Sequence, residues 1–459
     1  MEPDSGMLAK DYTLKLRLWR RYTTPWQKIV SHPYEGSGTE ENPYIVTWLD
    51  DGDDENPLKW SSGYQWTVTW LVAWTTLAAS FASSSYSAAI QKVQQDFPGY
   101  SSQVYIMGIS AFVLGYAFGP LLWAPMSEVL GRRRLFIVAY TLFTIFNAAV
   151  CASQNIWTLT ILRFLAGSFG ASPLTNAAGV VSDIFPAEKR GSGMAIFSAA
   201  PFTGPTLGPI VGGFLGEAAG WRWVCATNAI LSGTLTILGT LTIPETYSPV
   251  LLRERANNLT AASQLPNGGG RVYRSVFDDN PRYIALLRNH REKTTNTPLP
   301  PESRLAPAML GAILLPLGLF WFAWTCQPSV HWIVSILANI PFGMGMVMIF
   351  LSFFVWLLLS DAVVAYSTNI GGKTYIADVY NVHAASALAA NSVLRSLFGV
   401  AFPLFTTAMY DSLGINWAST LVAFLALAMT PQPFLFYKYG KKIRLRSKFS
   451  RHAAETSLE

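Results

Sequence analysis

Ala200-Pro201-Phe202-Thr203-Gly204-Pro205-Thr206-Leu207-Gly208-Pro209-Ile210-Val211-Gly212-Gly213 is the stretch whose reading decides the fold. It sits in an apolar run long enough to cross a bilayer, yet carries three prolines and four glycines. Proline removes a backbone donor and glycine removes packing area, so water would break this segment. In lipid the backbone must bond to itself. A bent, closely packed membrane helix follows, and the alternative is a Gly/Pro-rich soluble loop, which the flanking apolar spans disfavour. The surrounding composition agrees: of 459 residues, 51% are hydrophobic and only 13% charged, well below the ~25% charged residues of soluble domains.

About twenty apolar residues are needed per membrane helix. On that measure spans are expected near 64–86, 104–124, 134–153, 157–182, 194–216 and 223–243, a six-helix half. Four more are expected near 307–325, 331–352, 383–406 and 416–437. Gly131-Arg132-Arg133-Arg134, Glu188-Lys189-Arg190, Arg253 with Arg255, and the tail Lys438, Lys441, Lys442, Arg444, Arg446 and Lys448 all fall on one side of this count. The positive-inside rule puts that side, and both termini, in the cytoplasm. The organisation read from this is a polar leader over 1–60, an N-terminal bundle over 61–246, a cytoplasmic central loop over 247–306, a C-terminal bundle over 307–438 and a basic tail over 439–459. The leader ends in an acidic patch, Asp50 to Glu55, between Trp48 and Trp60, tryptophans suited to a membrane interface. Stretch 353–373 overruns one bilayer thickness and is read as an irregular insert.

The net charge of +6 follows topology rather than nucleic-acid binding. Cys151, Cys225 and Cys326 are widely spaced and read as small hydrophobes, not as a disulfide framework or zinc site. No phosphate-binding glycine loop with its lysine is present and the histidines lack ligand spacing, so neither ATP hydrolysis nor metal catalysis is expected. The Asn258-Leu259-Thr260 sequon would not be used on the cytoplasmic side.

Ala124-Pro125-Met126-Ser127-Glu128-Val129-Leu130-Gly131-Arg132-Arg133 resembles the loop motif of the major facilitator superfamily, departing at Ala124, where glycine is usual, and Val129, where a base is usual. Gly119 to Pro125, the opening Gly/Pro stretch, Arg163, Pro244-Glu245-Thr246-Tyr247, the acidic leader and Ala384 to Arg395 resemble its fungal drug:proton antiporter branch, including polyamine and multidrug exporters. The resemblance covers about 46–255 and 301–440. It implies an all-α polytopic membrane protein of the major facilitator fold, with a six-helix N-terminal half. The C-terminal half lacks two helices, the seventh and eighth, because the central loop runs straight into Pro300-Pro301-Glu302, which resembles the approach to the ninth. That deletion and the insert over 353–373 are read as a lineage change or a gene-model error.

The site residues are expected as follows. Glu128, Gly131, Arg132 and Arg133, with Asp183 as the partner of Arg132 or Arg133, form a cytoplasmic latch that makes and breaks between conformations; the alternative is that the arginines only set topology. Arg163 lies inside a span, where a charge is costly unless paired or hydrated. The resemblance gives it proton coupling or substrate-linked rearrangement, and the alternative is snorkelling to the interface. Gly204, Pro205, Gly208, Pro209, Gly212 and Gly213 belong to the antiporter-type helix, which implies export; alternatively they make a tight structural crossing. Phe112, Tyr116 and Trp321, with Phe322 and Trp324, could line a substrate cavity or pack between helices, and Asn391 and Arg395 are added from the resemblance. No carboxylate sits mid-span outside the insert; Asp378 and His383 are the candidates left for carrying a proton.

The function expected is proton-coupled export of small organic molecules such as drugs, polyamines or secondary metabolites, with no cofactor beyond a proton gradient. The partners expected are the substrate, protons and the bilayer, with no nucleic acid, for a monomer in the plasma or vacuolar membrane. A non-transporting or degenerate membrane protein and a proton-linked uptake carrier are the competing readings.

Overall fold

The computed structural model describes residues 24–49, 52–186, 189–264, 270–278, 306–327, 330–349 and 374–446. The insert at 353–373 lies outside them. Six helices follow a short α1 (Trp26–Ser31): α2 (Ser62–Asp96), α3 (Ser102–Leu130), α4 (Arg132–Cys151), α5 (Ile156–Ile184), α6 (Arg190–Ala219) and α7 (Trp221–Thr242). Each coincides with a span expected from the sequence; α2, α3, α5 and α6 overrun it at both ends, while α4 and α7 end one or two residues short of it. The turns between α3 and α4 and between α6 and α7 are single glycines, Gly131 (φ +90°) and Gly220 (φ +87°), conformations that other residues rarely adopt.

Among the described residues six segments are long and apolar enough to cross a membrane: Ser102–Trp123, Arg132–Cys151, Arg190–Ala219, Trp221–Thr242, Ala308–Thr325 and Ser396–Tyr439. Helices α2 and α5 miss that measure for a packing reason. They bury Thr69, Thr75, Thr76, Ser80, Ser85, Arg163, Ser172 and Asn176 inside the bundle, where neighbours rather than lipid satisfy polar groups. α2 packs on α3, α5, α6 and α7, and α4 on α5 and α7, around a core that includes Phe112, Tyr140, Phe143 and Leu235.

The remaining helices are α8 (Ser248–Ser263), α9 (Ala306–Thr325), α10 (Trp332–Leu337), which opens an apolar run Ile333–Ile349, α11 (Thr374–Met429), broken at Gly414 (φ +73°), and α12 (Pro431–Arg446). These supply helix for all four spans expected after the central loop. α11 packs on α9 and on α3, where the Ser110 hydroxyl donates to the Val400 carbonyl at 3.1 Å.

The central loop is not irregular throughout. α8 buries Leu251, Leu252, Arg255, Ala256, Leu259 and Ser263, an i, i+3/i+4 stripe that the flanking Asn, Thr and Arg residues concealed in sequence. Its partner is the leader. Strand β1 (Tyr44–Val46) pairs in parallel with β2 (Tyr273–Ser275), and Ile29, Ile45 and Val46 pack on Leu252, Ala256 and Leu259. Leader and central loop therefore fold as one module. Trp48 and Trp60 are packed against protein: Trp48 joins this cluster and Trp60 lies against Tyr64, Ile184 and Phe185.

Candidate functional site

The Gly/Pro helix α6 is a two-sided element. Gly204, Gly208, Gly212 and Gly216 are buried on one face at a four-residue period, whereas Pro205 and Pro209 point away. The glycine face meets Ser80, Ser84, Ser85 and Ala89 of α2 so closely that a methyl on Gly208 would lie 2.9 Å from the Ser85 nitrogen and collide with the Ser84 hydroxyl. Gly213, beside this line, has room for one, its nearest contact being Ala88 at 3.9 Å. Each of Pro205 and Pro209 leaves the carbonyl four residues back without its helical donor, loosening the ladder on the face opposite the crossing.

Arg163 is the most unusual side chain of the bundle. It is 2% exposed, so it does not snorkel. Its Nε donates to the Gly108 carbonyl at 2.7 Å, and Nη2 to the Ala82 and Ser83 carbonyls at 3.4 and 3.3 Å. The Tyr86 and Phe112 rings cover the guanidinium, with centroids at 4.3 and 4.9 Å. No carboxylate pairs with it among the described residues. Carbonyl dipoles and ring faces thus carry a buried positive charge that would ordinarily require a counter-ion.

At the end bearing the paired arginines a second cluster forms. Arg132 Nε lies 3.4 Å from Asp183 Oδ2 and Arg132 Nη1 donates to Ser127 Oγ at 2.6 Å. The Thr246 hydroxyl donates to the same Asp183 oxygen at 3.3 Å, and the Arg132 guanidinium stacks on the Tyr247 ring at 4.9 Å. The carboxylate at its centre is Glu245. Its Oε1 accepts from the backbone amides of Arg132 (2.9 Å), Thr246 (3.1 Å) and Tyr247 (3.1 Å), and its Oε2 from the amide of Arg133 (3.2 Å). One side chain therefore satisfies the first amides of α4 and those just ahead of α8, an N-terminal site that favours an anion. Gly131 is required there, because a side chain on it would strike the Glu245 carboxylate.

This geometry revises the expected cluster. Glu128 is exposed and pairs with no cation among the described residues, so Glu245 takes the acidic place given to it. Arg133 turns to the Thr240 carbonyl (3.1 Å) instead of Asp183. Phe112 and Tyr116 are packed together at 5.3 Å, Phe112 buried and Tyr116 half-buried, and the Tyr116 hydroxyl donates to the Ala79 carbonyl at 2.7 Å. Trp321 is exposed on α9. Asp378, His383, Asn391 and Arg395 lie outside the residues whose side chains are described. In the sequence Glu245 stands out only through the resemblance of Pro244-Glu245-Thr246-Tyr247; nothing in its spacing announces a carboxylate shared by two helix starts. The cysteines are free, and no group of metal-ligating side chains occurs among the described residues.

The sequence of residues 72–288 matches the family described as Major Facilitator Superfamily. A Trichophyton rubrum protein named MFS-type efflux pump MFS2 is 43% identical, over 97% of this chain and 84% of its own length. The chain belongs to the major facilitator superfamily. Aspergillus fumigatus has a relative at 43% identity, the major facilitator superfamily multidrug transporter mdrA, matched over 92% of this chain and 79% of that one. A partially occluded inward-open structure of the E. coli xylose transporter XylE aligns with a TM-score of 0.54 at 15% identity, over 82% of this chain and 99% of that one, which places the fold. Membership makes this an integral, multi-pass membrane transporter of small molecules, not an enzyme. The alignment with the Trichophyton protein runs over 526 residues against a chain of 459, so that relative holds segments absent here.

Proposed function

We propose that the protein is a proton-coupled exporter of small organic molecules, working by alternating access with both termini and the leader–linker module in the cytoplasm. Arg163 is the observation that carries the coupling: a buried cation held by carbonyls and rings, with no carboxylate beside it among the described residues, can respond to the charge of a substrate, or of a carboxyl group that gains or loses a proton, arriving from outside its own contacts. Relatives named efflux pump and multidrug transporter, at 43% identity, support the outward direction. The α2–α6 crossing is a tightly packed seam with a proline face on its far side, an element against which helices can rock. Arg132 with Asp183 and Glu245 serves as the cytoplasmic latch, closed in this conformation. The substrates are drug-like, polyamine or secondary-metabolite molecules, and the exporter works as a monomer in the plasma or vacuolar membrane.

Efflux of labelled amphipathic compounds and polyamines from expressing cells, with and without a protonophore, tests the reading. Export that collapses with the gradient is expected. Export indifferent to the protonophore rejects coupling, and protonophore-sensitive accumulation inverts the direction. A second reading, a membrane protein that no longer transports, rests on the segments that the 43% identical relative has and this chain lacks. It predicts no movement of any compound from cells in which the protein reaches the membrane.

A further inference from the structure

The leader–linker module is braced by the most complete ion-pair network of the described residues, and its position gives that brace a purpose. Arg255 of α8 is 4% exposed and Asp53 of the leader fully buried. Arg255 Nη1 and Nη2 meet Asp53 Oδ2 and Oδ1 at 2.8 and 2.9 Å, and Nη2 also meets Glu55 Oε2 at 2.8 Å. The same carboxylate of Asp53 accepts from Thr24 Oγ1 (2.5 Å) and the Leu49 amide (3.0 Å), and Trp48 lies under the guanidinium at 5.1 Å. Such a bidentate, desolvated pair fixes two backbones in one relative geometry.

Both ends of this brace run into the latch. In one direction, Tyr247 caps α8 eight positions before Arg255, about 12 Å along a helix, and it is Glu245, Thr246 and Tyr247 that grip Arg132, Arg133 and Asp183. In the other, the leader passes from Glu55 through a short 3-10 turn (Pro57–Lys59) to Gln65, whose Nε2 donates to the Leu58 carbonyl (3.4 Å) and to the Ile184 carbonyl (2.8 Å) at the end of α5. Ile184 is the neighbour of Asp183. The contacts therefore close a ring: α5 end, Asp183, Arg132, Glu245, α8, Arg255, Asp53, leader, and back to α5.

We infer that Asp53, Glu55 and Arg255 are positioning residues for the latch: the leader is a strut that fixes α8, and through it Glu245, against the starts of α4 and α8. A free α8 would let Glu245 swing away on its own short connection to α7, leaving the first amides of α4 unsatisfied. With the strut in place, the latch opens and closes as a unit instead of fraying from its linker side. The inference rests on the transport reading for its purpose but not for its test.

The test is hydrogen–deuterium exchange on the full chain in detergent micelles, comparing Asp53→Asn with the unaltered protein. The four amides that donate to Glu245, those of Arg132, Arg133, Thr246 and Tyr247, are expected to exchange about tenfold faster, within the usual range for coupling between sites. The opposite end of the bundle, around Asp96 and Trp221, should keep its rates. Faster exchange over 44–49 with the four latch amides unchanged would overturn the inference, because the leader would then hold only itself. Should Asp53→Asn fail to reach the membrane, Glu55→Gln removes only the half-buried outer carboxylate; a smaller acceleration at the same four amides supports the strut, and none overturns it. Failure of export by the unaltered protein would reject the transport reading alone, since the exchange rates do not depend on it.

Discussion

Arg163 and Arg255 are both buried arginines stacked on aromatic rings, and they are answered in opposite ways. Arg255 faces two carboxylates in a bidentate grip; Arg163 has three carbonyls and no acid among the described residues. The difference separates a brace from a site. A guanidinium neutralised in place has nothing left to bind and can only hold two segments together. One held by dipoles keeps its charge available at a cost in stability, which a fold retains at positions where something must come and go.

The largest effect that would break this contrast concerns transport through Arg163. Arg163→Lys keeps the charge but loses the fork that reaches the Gly108, Ala82 and Ser83 carbonyls. Efflux normalised to the amount of protein in the membrane should fall to the background of cells without the protein; efflux near the unaltered rate would remove Arg163 from the mechanism. Arg255→Met should act on stability. It takes the bidentate partner from the fully buried Asp53 carboxylate, a loss of roughly 3–5 kcal/mol, read as rapid protease cutting between leader and α8. Arg163→Met, by contrast, strands no carboxylate among the described residues and should leave thermal stability unchanged or raised. If the two methionine variants destabilise alike, the distinction between brace and site fails.

A smaller effect probes the scaffold that holds Arg163's helices. Gly208→Ala places a methyl against Ser84 and Ser85 and should lower the melting temperature through about 1–3 kcal/mol of overpacking, whereas Gly213→Ala, with its nearest contact at 3.9 Å, should change nothing measurable. The smallest expected effect is that of pH on the brace. Burial alone would raise the Asp53 pKa, but the hydrogen bonds and charge of Arg255 outweigh it and hold the carboxyl below its ordinary value. With the folded value depressed, the stabilisation is fully present above the unfolded pKa of about 3.9 and is lost only as pH falls below it toward the folded value. Protease resistance of the leader at pH 7 and pH 5 should therefore be the same; softening between them would mean that another group carries the brace.

Much of this was legible from composition and spacing. The first six long helices and their order, the Gly/Pro-rich helix and the placing of Arg163 within a span follow from one rule, that lipid offers no partner to a backbone amide or a charge. Asp183 lay close enough to the paired arginines in the expected topology to be named as their partner, and the structure puts it 3.4 Å from Arg132. Glu128 was named with equal reason and is exposed, since a motif position does not say which way a side chain turns at a helix end.

The sequence by itself determined the solvent of each segment: an apolar stretch of twenty residues belongs in lipid whatever it touches, because the hydrophobic term depends on area alone. Only the tertiary structure decided partners. Asp53 and Arg255 stand 202 positions apart, and β1 and β2 farther still. Hydrogen bonds and ion pairs are short and directional, so they exist only where the folded chain brings two groups within about 3 Å. That is why Arg255 could be read in sequence as a topology marker and in the fold as the far end of a strut, and why Glu245 acquires its role only once the starts of α4 and α8 meet beside it.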